Sequence, residues 1–98
     1  MNSIDIVSFV KKINDISKDT IIDIRDNYSY SLGHIPNAIN INFNQLLNNP
    51  KEYLSFNKTY YIYCSGGNNS KRVVNTLNSF GYNTINIDGG YDMYLLFK

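Results

Sequence analysis

The chain has 98 residues, of which 43% are hydrophobic and 17% charged, with 9 Lys and Arg against 8 Asp and Glu and a formal net charge of +1. This length and balance fit a single folded domain over residues 1–98 with its own core, and they exclude a disordered chain. The charges are spread out, which excludes the basic stripe of a nucleic-acid binder, while the single Cys64 and single His34 exclude an internal disulfide and a Cys/His metal cluster.

The opening stretch MNSIDIVSFVKKINDISKD lacks the basic start and long apolar core of a signal peptide, and no run approaches membrane-spanning length. The expectation is a cytoplasmic protein without membrane contact, a monomer or weak oligomer; its heavy use of Asn, Ile, Lys and Tyr points to an AT-rich bacterial genome. The same opening stretch spaces Ile4, Val7, Val10 and Ile13 as one helical stripe, with Ser3 at the N-cap. TIIDIR, from Thr20, is short, β-branched and apolar and reads as a buried strand. NYSYSLGHIPNA starts with a short helix and breaks at Gly33 and Pro36. AINI, Ala38 to Ile41, is a second strand, and FNQLLNNPKEYL gives a helical turn or two interrupted near Pro50. TYYIYC is the third strand. Ser70 to Phe80 carries Val73, Val74, Leu77 and Phe80 at helical spacing, with Gly81 where a C-terminal cap belongs. TINI, Thr84 to Ile87, is a fourth strand, DGG a turn and YDMYLLFK a terminal helix. Strands alternating with helices imply a parallel sheet covered on both faces, which binds ligands at the carboxyl ends of its strands. Cys64 falls at the carboxyl end of TYYIYC, a central strand on this reading.

Directly after Cys64 comes SGGNNS. Gly66 and Gly67 free the backbone to turn successive N–H groups inward, and the helix expected near Ser70 adds unpaired donors and the positive end of its dipole. Such a loop stabilises a negative group held above Cys64, and the same field favours the thiolate over the thiol. A lone cysteine is otherwise a small buried apolar residue, a role that requires no paired glycines. The local residues therefore favour a functional thiol.

Three segments, in order, resemble the signatures of the single-domain rhodanese family. IIDIRDNYSYSLGHIPNAINI resembles the N-terminal signature, with Ile21–Arg25, Gly33–Pro36 and Ala38 in place. YYIYCSGGNNS resembles the active-site strand and loop, with Cys64 in the nucleophile's position. INIDGGYDMY resembles the C-terminal signature through Asp88, Gly89, Gly90 and Tyr94, the last standing where tryptophan is usual. The resemblance implies an α/β fold: a rhodanese-like three-layer sandwich whose mostly parallel central sheet has about four to five strands, with helices on both faces. It also implies a sulfurtransferase, in which Cys64 takes the outer sulfur of thiosulfate or a persulfide and passes it to a thiol, cyanide or a protein acceptor. Ser65, Gly66, Gly67, Asn68, Asn69 and the N–H of Ser70 would then line the pocket for the sulfur anion, with no cofactor and no metal.

Asn69 departs from the pattern, since many members carry arginine at that position, and a guanidinium fork for a doubly charged donor is lost. Lys71 and Arg72 are the nearest cations in sequence. Asp23 and Arg25 are expected to pair at a strand end and orient the loop, and His34 to hold its Gly-His-Ile-Pro turn. The tyrosines of TYYIY, with Tyr91 and Tyr94, read as packing. A phosphatase of the dual-specificity kind needs C-x5-R, and Ser70 occupies the arginine's place, which argues against that chemistry. The remaining alternative is a catalytically weak interaction or sulfur-carrier module. Members that have lost activity commonly lack the cysteine, which this chain keeps.

Overall fold

The structure, a computed structural model, describes residues 2–98. Its strands are β1 (Ser3–Ile4), β2 (Ile21–Asp23), β3 (Ile39–Asn40), β4 (Thr59–Tyr63) and β5 (Asn83–Ile87). The helices are α1 (Ile6–Lys12), α2 (Asn27–Leu32), α3 (Phe43–Asn48), α4 (Pro50–Tyr53), α5 (Asn68–Ser79) and α6 (Gly90–Phe97), with one 3-10 turn at Ile13–Asp15. The sheet runs in the order β1-β5-β4-β2-β3, and every pair in it is parallel. β4 is therefore the central strand, as its apolar, aromatic sequence requires.

Side chains alternate across a strand, so β4 serves both faces. Tyr60 and Ile62 join Ile22, Leu46, Leu54, Val73, Val74 and Leu77 beneath α3 and α5. Tyr61 and Tyr63 join Ile21, Ile87, Ile6 and Phe9, with Tyr91 and Tyr94 of α6 packed against them. The result is the three-layer α/β sandwich that the alternation of strands and helices implies. Each fully buried aliphatic or aromatic side chain contributes on the order of 1.5–3 kcal/mol, which makes these two clusters the main source of stability.

The first residues differ from expectation. Ser3 is not a cap: Ser3 and Ile4 form β1 against β5, with the N–H of Asp88 donating to the Ile4 carbonyl at 2.9 Å. The cap of α1 is Asp5, whose carboxylate accepts from the Ser8 N–H at 2.9 Å. The buried face is consequently Ile6 and Phe9, and Val7 of the expected stripe is 42% exposed. At the other boundary, α5 begins at Asn68 rather than Ser70, and Phe80 is 56% exposed because the helix has ended at Ser79. Gly81, at φ +100°, carries the left-handed turn after it, where other residues are strained. Among the described residues no helix is long and apolar enough to cross a membrane.

Candidate functional site

Cys64 leaves β4 at the carboxyl edge of the sheet, and the chain turns through Ser65, Gly66 and Gly67 into α5. Gly67 caps that helix in the left-handed region at φ +99°, and no side chain among the described residues caps it in its place. The first N–H groups of α5 are thus left for something else. They meet the sulfur: Sγ accepts from the Gly67 N–H at 3.2 Å and from the Ser70 N–H at 3.4 Å. The Ser70 hydroxyl oxygen lies 3.3 Å from Sγ on the same side.

Ser70 is wholly buried, and its hydroxyl donates to Oδ1 of the buried Asn86 in β5. Asn86 in turn donates through Nδ2 to Oδ1 of Asp88 at 2.8 Å. A hydrogen-bonded row therefore runs from Asp88 through Asn86 and Ser70 to the Cys64 sulfur. Asn86 escaped the sequence reading. A parallel sheet covered on both faces must pair every polar side chain it buries, so an asparagine inside TINI was the available signal.

The start of α6 fixes the other side of the loop. The N–H of Tyr91 donates to the Cys64 carbonyl at 2.9 Å, and that of Asp92 to the Ser65 carbonyl at 3.0 Å. In a trans peptide the N–H points opposite to the C=O, so the N–H groups of Ser65 and Gly66 face away from α6. The approach is close because residue 90 has no side chain. A β-carbon on Gly90 would stand 2.7 Å from the Ser65 carbonyl oxygen, and its φ of +60° strains any other residue.

The paired Asp23 and Arg25 stand at the end of β2. Nη2 of Arg25 donates to Oδ2 of Asp23 at 2.7 Å and to the Gly33 carbonyl at 2.7 Å, and the guanidinium lies 4.4 Å from the Tyr91 ring. Asp23 is fully buried and also accepts from the Tyr63 hydroxyl at 2.7 Å, while the Ile35 N–H donates to that hydroxyl at 3.0 Å. Burial, with the Asp23 carboxylate accepting its hydrogen, pushes the Tyr63 phenol well above its ordinary value, so it remains a donor. The ion pair, the Gly33–Ile35 turn and β4 are in this way locked together. His34 belongs to the same turn, its Nδ1 lying 2.9 Å from the Tyr30 carbonyl and its ring stacked on Tyr30.

A cavity of about 520 Å³ opens above this edge, with Cys64, Ser65 and Gly66 on its floor. Asn68 and Asn69, in the first turn of α5, form one wall; Ile24, Arg25, Asp26 and Ser29 form another; Asn42 and Phe43 close the third. Of the residues singled out from sequence, Cys64, Ser65, Gly66, Asn68, Asn69 and Arg25 line the cavity. Gly67 and Ser70 lie behind it and reach the sulfur through their N–H groups, and Asp23 lies beneath Arg25. Cys64 is only 7% exposed, so its access is through the cavity rather than across open surface. Lys71 and Arg72 are exposed and neither lines the cavity. Arg25 was expected to orient the loop alone, yet it also forms part of the wall, as do Asp26, Ser29, Asn42 and Phe43, which sequence did not single out.

Residues 7–96 match the family model described as Rhodanese-like domain. A 76-residue stretch, 71% of this chain, is 38% identical to the adenylyltransferase and sulfurtransferase uba4 of Ogataea parapolymorpha, and spans 18% of that relative's length. Among solved structures, a Staphylococcus saprophyticus protein superposes with a TM-score of 0.86 at 35% identity, covering 96% of this chain and 93% of the other. A rhodanese-like domain protein from Staphylococcus aureus gives 0.85 at 31% identity, with 96% and 91% covered. A rhodanese-related protein from Thermoplasma volcanium gives 0.85 at 27% identity, with 98% and 92% covered.

Proposed function

The chain belongs to the family of rhodanese-like domains, and on that premise we propose that it is a sulfurtransferase working through a Cys64 persulfide. The observation that carries this reading is the pair of N–H groups, from Gly67 and Ser70, trained on one sulfur at the floor of a cavity. Donors of this kind stabilise sulfur when it carries negative charge, which is its state both as attacking group and as leaving group. A domain serving only as a docking module has no use for them.

The reaction has two displacements. The Cys64 thiolate attacks the outer sulfur of the donor, the Sγ–S bond forms, and the donor's S–S bond breaks with its electron pair leaving on sulfite or a thiolate. An acceptor thiolate or cyanide then attacks the outer sulfur, and the Sγ–S bond breaks to return the Cys64 thiolate. The backward-facing carbonyls of Cys64 and Ser65, tied to α6, leave the Ser65 and Gly66 N–H groups to bind the negative charge of the bound donor. Asn68 and Asn69 complete the substrate contacts as neutral donors and acceptors. Asp23 and Arg25 position the wall.

Incubation with thiosulfate or a small persulfide, followed by intact mass, should show a gain of about 32 Da that dithiothreitol or cyanide removes. Cys64→Ser should show none. A folded wild-type protein that gains no sulfur from either donor would contradict this reading.

A further inference from the structure

Besides Cys64, the ionisable side chains lining the cavity are Arg25 and Asp26. The Arg25 charge is already matched, since its guanidinium grips the buried Asp23 carboxylate at 2.7 Å. Among the described residues Asp26 has no such cation. It caps α2, its carboxylate accepting from the Ser29 N–H at 2.8 Å and the Ser29 hydroxyl at 3.2 Å. The Ser29 amide holds that carboxyl below its ordinary value, so it is ionised at neutral pH. The loop side contributes only neutral Ser65, Gly66, Asn68 and Asn69. With Cys64 as thiolate, the cavity itself therefore presents negative charge on both floor and wall; among the described residues the cation without a carboxylate partner that comes near it, Arg72, lines only the adjoining hollow.

The space also exceeds what a small inorganic anion fills. Next to the 520 Å³ cavity lies an apolar hollow of about 150 Å³, which shares Phe43 and Asn69 with it and is lined further by Leu47, Val73 and Arg72. We propose that the sulfur donor is the persulfide of an organic thiol, its carbon skeleton lying across Phe43 into this hollow, and that Asp26 selects against dianionic donors such as thiosulfate. This rests on the sulfurtransferase reading above. The transfer is Cys64–S⁻ plus R–S–SH giving Cys64–S–SH plus R–S⁻: one S–S bond forms, one breaks, and the electron pair leaves on the donor thiolate. One unit of charge is present before and after, whereas thiosulfate brings two negative charges to a thiolate beside a carboxylate.

The test reads cavity charge and donor choice separately. Cys64 is modified with two methanethiosulfonate reagents, one bearing trimethylammonium and one bearing sulfonate, each rate normalised to that of a small free thiol. The normalised cation-to-anion ratio should be about tenfold at low salt and fall toward one as salt rises. Asp26→Asn, which keeps a capping oxygen for α2, should lower that ratio about threefold. In parallel, kcat/KM should be higher for the persulfide of 2-mercaptoethanol than for thiosulfate, and Asp26→Asn should narrow the gap. Asp26→Ser, also a capping residue, should behave as Asp26→Asn does. A ratio at or below one, or one unmoved by both variants, overturns the proposal and leaves the sulfurtransferase reading standing. Failure of both donors to load sulfur onto Cys64 overturns both.

Discussion

Ser70 and Asn86 stand 16 residues apart in sequence, yet a buried hydrogen bond joins them directly behind the Cys64 sulfur. Ser70→Ala keeps the backbone N–H on the sulfur and removes the hydroxyl. The hydroxyl gives its hydrogen to Asn86 and accepts from the Cys64 S–H, so it offers the attacking sulfur no donor. Its loss should leave iodoacetamide alkylation of Cys64 as fast as before or raise it by up to about tenfold, the scale of one hydrogen bond. Asn86→Ala acts on the same row from behind. It leaves Ser70 and Asp88 short of a partner and should cost about 1–3 kcal/mol of stability, read from urea unfolding.

Gly90→Ala should be among the most damaging small substitutions in the chain. The added carbon meets the Cys64 and Ser65 carbonyls, and φ +60° strains it further. A loss of about 3 kcal/mol or more is expected, visible as a Tm fall of well over 10 °C, or as an unfolded product.

Tyr63→Phe deletes a hydroxyl that donates to Asp23 and accepts from Ile35. At neutral pH this should cost about 1–3 kcal/mol. The alkaline side gives a sharper signature. The phenol is raised above its ordinary value of 10.0 by burial and by Asp23, so above that pH the folded state holds a proton that the unfolded state releases. This stability is fully present below pH 10 and is lost as pH rises, at about 1.4 kcal/mol per pH unit. Tyr63→Phe should remove that share of the slope in urea titrations.

Asp5 and Asp26 set the acid side. Each carboxyl lies below its ordinary value of 3.8 because a serine N–H donates to it, Ser8 for Asp5 and Ser29 for Asp26. Their contribution is present above that value and is lost as pH falls through the lower folded value. The doubly substituted Asp5→Asn, Asp26→Asn protein keeps side-chain caps that do not titrate. Its Tm should decline less steeply in acid than that of the wild type.

What the sequence carried well was local. TYYIYC followed by SGGNNS placed a thiol at a strand end before a helix, because strand pattern, glycines and helix start all lie within a few consecutive residues. The N-terminus failed for the opposite reason. Ile4, Val7, Val10 and Ile13 have helical spacing, but so do Ile6 and Phe9, and the choice is made by β5, which recruits Ser3 and Ile4 as its edge partner. Asn86 shares that dependence on distant chain, since only the docking of α5 onto β5 brings Ser70 to it. Asp26 and Phe43 likewise reach the cavity by the packing of α2 and α3, for which no short motif speaks.

The carbonyls of Cys64 and Ser65 are held by the N–H groups of Tyr91 and Asp92, so the sulfur's surroundings are shaped by a segment synthesised long after it. A nascent chain halted before Gly90 carries the same thiol on a loop whose peptide planes nothing has yet turned. Cradle and nucleophile become one object only when α6 has left the ribosome and docked.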